Sequence, residues 1–381
     1  MFTSEQLRQL ANFHSERFPL GTFYWEAPPA TNRAHHNDPV GIQNLLREAR
    51  RRLEGDSHNR EAMRSIEADQ EKIARYFIGN PEALHAHTAI FCCAGESFWQ
   101  PVRLPRGLGS GFYVGETFYL QPLSVLLDQY HRFCAVLVDR QAARVFEIYM
   151  GEIEEHTSFL DQVPGRIKAA TWTGGNERQI ERRSENKAHQ HYKRIAEAVL
   201  QLFRKYHFDW LILGGHSDGL VFLENHLHSD LRSRLIGSFP ADFKAATTQE
   251  ILAKSMEIAE AQDRREKAGL MEEISNRAGQ GGLGVLGLPE TLQALMLGEV
   301  HTLVVEENLQ ASASVCSNCG RVTTTEAKTC AVCDADLQRV ENVLERAVEL
   351  AIQDGSQIRF VNGNDRLRQA GGIGALLRFR T

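Results

Sequence analysis

Apolar side chains return every three or four positions from Asp38 to Phe77 (PVGIQNLLREARRRL, then EAMRSIEADQEKIARYF), with charged residues between them. That period predicts helix. The same period runs through Glu177–Tyr206, where Ile180, Ile195, Ala198, Val199 and Leu202 mark the apolar stripe, and through residues 247–277, the longest such stretch. LPETLQALMLGEV and VENVLERAVELAIQDG add two shorter helices towards the C-terminus. Between the helical stretches lie short runs rich in β-branched and aromatic residues: HTAIFCCAG, FYVGETFYL, RFCAVLVDR, ARVFEIYMG, FDWLILGG, HTLVVEE and IRFVN. These predict buried or half-buried strands, the third and fourth joined by a turn at Gln141 and Ala142. LVFLENHLHSDLRSRLIGSF continues the middle of the chain as a further helix and strand. Alternation of strands and helices predicts an α/β fold in which helices flank the sheets.

Glycine and proline punctuate this pattern. PVRLPRGLGSG predicts an exposed loop around Pro105 to Gly111, and EHTSFLDQVPGRIKAATWTGGN, with no sustained period and with Pro164, Gly165, Gly174 and Gly175, predicts a long exposed loop. Gly282, Gly284 and Gly287 match G-x-G-x-x-G, but the stretch follows a helix instead of a strand, so a turn is expected and not a dinucleotide site. A chain of 381 residues exceeds one ordinary core. Three domains are expected, at 1–130, 131–246 and 247–381. No internal repeat or low-complexity tract interrupts them.

Charge narrows the partners. The net charge of −6 exerts no general pull on nucleic acid, which argues against DNA binding and confines any RNA contact to local clusters. One such cluster is the entry to the helix Glu177–Tyr206, where Arg178, Arg182, Arg183 and Lys187, followed by Lys193 and Arg194, offer cations to phosphates. The plainer reading is a solvated helix face, since Glu177, Glu181 and Glu185 offset part of the charge. MFTSEQLRQL has no basic leader followed by an apolar core, and no run approaches 18 apolar residues. A cytoplasmic protein with no membrane partner is expected.

The seven cysteines divide into two groups. Cys92, Cys93 and Cys134 sit in apolar runs, where a buried and inert thiol is expected. Cys316 and Cys319, then Cys330 and Cys333, form two C-x-x-C pairs with ten residues between them. Two such turns on a short hairpin can aim four thiolates at one ion, completing a tetrahedral shell with no open position. A structural zinc ribbon at about 311–338 is therefore expected ahead of a catalytic metal, and a redox pair would need only one of the two motifs.

Several stretches together resemble the archaeal and eukaryotic class I peptide chain release factors, the superfamily that also includes Pelota. TGGNERQIERRSENKAHQHYKRIAEAV, from Thr173 to Val199, resembles their GGQ loop and the arginine-rich helix after it. GLPETLQALMLGEVHTLVVEENL resembles the start of their C-terminal domain, the C-x-x-C pairs match the zinc ribbon carried there by archaeal members, and AGGIGALLRF, Ala370 to Phe379, resembles the closing GGIAAILRY. The likeness is collinear over roughly residues 131–381 and is loose over the first third.

The resemblance implies three α/β domains in a release-factor-like arrangement, with the zinc ribbon inserted in the third. It implies a protein that enters the ribosomal A site and acts on peptidyl-tRNA at the peptidyl transferase centre. Carried over position by position, Gly174 and Gly175 shape the loop tip, the backbone N–H of Asn176 stabilises the oxyanion that forms as water attacks the ester, and Arg178, Arg182 and Arg183 contact ribosomal RNA. A translational GTPase is the implied delivery partner. Two departures stand against plain termination: Asn176 replaces the family's Gln, and the stop-codon motifs NIKS and YxCxxxF are missing, with YLQPLSV lacking the Cys. Composition and motif set imply a bacterial offshoot in which rescue or quality control fits better than routine termination. A non-catalytic A-site factor for rescue or hibernation is the alternative. A third reading, a zinc-ribbon protein for other RNA or a nuclease on the middle sheet, has only Asp139 and Asp218 near strand ends to offer as acids.

Overall fold

In the computed structural model, which describes residues 2–28, 40–53, 60–139, 142–156, 177–279, 282–325 and 327–381, the two ends of the chain share one unit. Met1–Gln129 and Gly269–Thr381 form it together, and Tyr130–Ala268 form the second.

The N-terminal part of the first unit runs α1 (Ser4–Ala11), β1 (Leu20–Trp25), α2 (Val40–Leu53), α3 (Arg60–Gly79), β2 (Thr88–Cys93), β3 (Phe98–Arg103), β4 (Gly111–Gly115) and α4 (Gln121–Gln129). The strands pair antiparallel in the order β3-β2-β1-β4. One face carries Phe23, Ile90 and Cys92 and is covered by Ile42 and Leu46 of α2 and by Ile66, Ile73 and Phe77 of α3. The helical period read from Asp38 to Phe77 thus resolves into two helices, with 54–59 outside the described residues. PVR, read from sequence as loop, completes β3, because its backbone pairs with Thr88–Ile90 whatever its proline contributes.

The second unit runs β5 (Phe133–Val138), β6 (Ala143–Tyr149), β7 (Glu152–Glu155), α5 (Glu177–Tyr206), β8 (Trp210–Gly215), α6 (Ser217–His226), α7 (Ser229–Arg232), β9 (Leu235–Pro240) and α8 (Thr248–Gly279). Its sheet has the order β7-β6-β5-β8-β9, antiparallel on the β6 side of β5 and parallel from β5 through β9. Both faces of β5 and β8 are buried, which is why their sequences are continuous apolar runs. Tyr192, Ile195, Val199 and Leu202 of α5 cover one face, while Ile251 and Ala259 of α8 cover the other. The change of unit falls inside α8, since Met271 and Ile274 join Val304, Val361 and Leu367 in a core of the first unit.

The C-terminal part continues with β10 (Gly284–Leu286), α9 (Leu288–Met296), β11 (Val300–Glu306), β12 (Ala313–Cys316), β13 (Val322–Thr323), β14 (Leu337–Val340), α10 (Val343–Gln353), β15 (Gln357–Val361), α11 (Asp365–Gln369) and β16 (Ile373–Leu377). A four-stranded sheet has the order β10-β16-β11-β15, with β11 and β15 parallel. GLGVLG, expected to be a turn, instead supplies β10, paired antiparallel with β16. A Cβ at Gly284 would lie 2.4 Å from the Ile274 carbonyl oxygen, so glycine is what lets this edge strand pass against α8. Between β11 and α10 the chain leaves the sheet to form a separate three-stranded ribbon, β13-β12-β14.

Within the first unit the two chain segments meet at α4 and α10. The buried carboxylate of Asp128 accepts hydrogen bonds from the Phe360 N–H (2.8 Å) and Arg359 (3.1 Å), and Gln353 donates to the Ala11 carbonyl (2.9 Å).

Candidate functional site

The four ribbon cysteines come together on two turns of the same design. At the first, the Gly320 N–H donates to the Cys316 carbonyl (3.1 Å) and the Cys316 N–H to the Arg321 carbonyl (2.8 Å). At the second, Asp334 donates to Cys330 (2.9 Å) and Cys330 to Ala335 (2.8 Å). The residue after each pair takes a left-handed backbone, φ +67° at Gly320 and +58° at Asp334, which turns the chain back under the second thiol. The spacing showed the cysteines; the residues that close each turn were legible only as the position following each pair.

All four Sγ atoms lie within 4.8 Å of one another, with Cys316 to Cys333 at 3.4 Å and Cys319 to Cys330 at 3.6 Å. A tetrahedral ion with sulfur at about 2.3 Å would separate its ligands by about 3.8 Å, so the donor set fits. Backbone N–H groups of Cys319 and Asn318 bring the Cys316 thiol down to about 6, and those of Val332 and Cys333 lower Cys330. Cys319, although it too receives an N–H from Arg321, is pushed up to about 12 by the neighbouring Cys316. The four sulfurs crowd together here, so ionising one cysteine holds back its neighbour. The ribbon is held to its domain through Val322, whose N–H points at the Met296 sulfur of α9 at 3.2 Å.

Cys92, Cys93 and Cys134 are buried, as their apolar surroundings in the sequence led one to expect, and burial raises all three thiols. Asp139 closes the turn after β5, accepting from the Ala142 N–H at 2.6 Å, while Asp218 lies in the first turn of α6. Each carboxylate has a local structural setting in the fold.

Gly174, Gly175 and Asn176 lie outside the described residues. Arg178, Arg182, Arg183 and Lys187 fall in the first turns of α5, and their side chains too lie outside what is described. Along α5 they precede the stretch from Tyr192 to Leu202, whose apolar residues pack on the sheet.

Comparison with known proteins closes the case for kinship. Residues 119–260 match the model of "Bacterial archaeo-eukaryotic release factor family 10", and residues 264–381 match that of "eRF1 domain 3". Peptide chain release factor subunit 1 of Pyrococcus abyssi is 25% identical over 334 residues, 80% of this chain and 78% of its own. The same protein of Thermococcus sibiricus is 26% identical over 294 residues, 70% of each chain. Among solved structures, an archaeal translation termination factor, aRF1, is 18% identical and covers 99% of both chains with a TM-score of 0.25. A ribosome-bound archaeal Pelota is 15% identical over 78% of both, with a TM-score of 0.43. Release-factor models thus take up the chain from residue 119 to its last, apart from 261–263, and archaeal release factors align with most of its length: the chain belongs to the archaeal and eukaryotic class I release factor and Pelota superfamily.

Proposed function

We propose that this protein is a ribosome-binding translation factor that enters the A site and acts on peptidyl-tRNA through the loop at Gly174, Gly175 and Asn176. The observation that carries the reading is the match of a release-factor model to 119–260, the segment that contains this loop and α5. The chemistry requires little of the side chains. Two glycines let the backbone enter a confined site, and the N–H of Asn176 donates to the oxyanion formed as water attacks the ester. Arg178, Arg182, Arg183 and Lys187 hold the loop on ribosomal RNA phosphates. Cys316, Cys319, Cys330 and Cys333 bind a structural zinc that stiffens the C-terminal domain, and a translational GTPase delivers the factor.

Rescue of stalled ribosomes fits better than routine termination because the sequence has neither stop-codon motif of the family. A second reading, occupation of the A site without hydrolysis, is favoured by one observation, the asparagine in place of glutamine at 176. Both are tested with ribosomes stalled on a labelled nascent peptide. Hydrolysis predicts release by the wild type and a loss of at least tenfold in rate in Gly175→Ala. Binding without release selects the second reading, and failure to bind stalled ribosomes overturns both.

A further inference from the structure

Where the N-terminal sheet meets α10 in the first unit, a cavity of about 270 Å³ opens. It is lined by the pair Tyr113 and Tyr119, with ring centroids 4.5 Å apart, by Asn342, the N-cap of α10, and by Glu345 in that helix. Glu345 is half-buried, and among the described residues its carboxyl has no hydrogen bond or ion pair. The nearby acid, Glu349, is already engaged by Arg346 at 2.8 Å and Gln353 at 3.2 Å. Burial, reinforced by Glu349, pushes Glu345 up to about 7. A cation placed in the cavity would relieve that cost.

We propose that this cavity receives the guanidinium of an arginine on a basic peptide segment of a protein partner, stacked on Tyr113 and Tyr119 and bound by Glu345. A guanidinium is planar, stacks on aromatic faces and matches a carboxylate with paired donors, which an ammonium does not. Nucleobases also stack on tyrosine, but they bring phosphates. The adjoining cleft of about 740 Å³ shares Gly115 and Thr117 with the cavity and is lined by Glu16 and Glu116, while its arginines are committed, Arg17 to Glu61 and Arg346 to Glu349, each at 2.8 Å. The free charge of the site is negative. It selects a cation and repels a nucleic acid backbone.

The test uses the full chain and a fluorescein-labelled peptide of three Arg-Gly repeats, compared by anisotropy with the same peptide carrying citrulline, which keeps the shape and loses the charge. The arginine peptide binds at least tenfold tighter than the citrulline peptide, and Glu345→Gln removes that preference. This variant keeps or raises its melting temperature, because it removes a half-buried carboxyl whose charge burial disfavours. Tyr113→Ala, at an exposed position, weakens binding severalfold, whereas Glu257→Gln on the other unit leaves it within twofold. Equal binding of the two peptides, or an unchanged preference in Glu345→Gln, overturns the proposal. So does a single-stranded oligouridine that binds in a manner sensitive to Tyr113→Ala but not to Glu345→Gln.

Discussion

Cys134 in the middle sheet and Cys330 in the ribbon are equally hidden from solvent, 0% and 1% exposed, yet their thiols shift in opposite directions. Cys134 is enclosed by side chains of a strand and a helix, whose own backbone hydrogen bonds are spent within their elements, and burial, reinforced by Glu147, raises it. Cys330 sits in a turn whose N–H groups have no ladder to join and point at the sulfur instead. Exposure does not decide whether a cysteine is a ligand or a filler. What decides is whether unclaimed backbone donors surround it, and a C-x-x-C turn supplies them by its shape.

The largest effect that could break this comparison is loss of metal. Purified protein should carry one zinc per chain by atomic absorption, and Cys316→Ser or Cys330→Ser should carry none, since three ligands cannot complete a structural shell. A chelator should free four thiols to a labelling reagent under native conditions while Cys92, Cys93 and Cys134 stay protected until the chain unfolds. Labelling of all seven together would erase the distinction between the two groups.

A smaller effect sharpens the burial side. Asp69 lies beside Cys92, 1% exposed, and burial, opposed by an N–H from Ala94, raises it from 3.8 to about 6. A raised acid binds its proton more tightly in the folded state, so its contribution to stability is whole below about pH 4 and is lost as pH rises through about 6. Asp69→Asn should therefore stabilise the protein at pH 8 by on the order of 2 kcal/mol and give little at pH 4. Urea unfolding at the two pH values measures it, and an equal effect at both would contradict the assignment.

The smallest effect separates the two turns of the ribbon. Gly320 and Asp334 share a left-handed backbone that only glycine adopts without cost. Gly320→Ala should cost about 1 kcal/mol and lower zinc affinity roughly fivefold. Asp334→Gly should raise affinity by a factor of about two, because the native residue already bears some of that strain. Competition with a chromogenic chelator reads both.

Much of this was legible beforehand. The periods of α5, α8 and α10 and the apolar runs of β5, β8 and β11 marked elements that the structure contains, because helix and strand each impose a spacing that does not depend on distant residues. The cysteine pairs were legible for the same reason. Gly284 misled: a glycine-rich stretch signals a turn unless one knows that a helix lies against it. β16 was visible only as a family motif, Gly374 within it and the Gly371–Gly372 pair before it masking a buried strand. Of the proposed site, Gly174, Gly175 and Asn176 remain positions in a sequence, while the basic residues after them are placed in a helix.

The amino-acid sequence by itself determined the long periodic helices and the apolar strands, though not the edge strands β3 and β10, as well as which four cysteines act as a set and to which superfamily the chain belongs. Only the tertiary structure decided that the first and last parts of the chain form one unit, that Asp128 answers Arg359 and the Phe360 N–H, and that Asp69 and Glu345 lose their water. The reason is that periodicity records which face of an element is apolar and leaves unsaid what covers it. The charge state of a carboxyl or thiol follows from that covering, and the covering comes from residues far away in the chain.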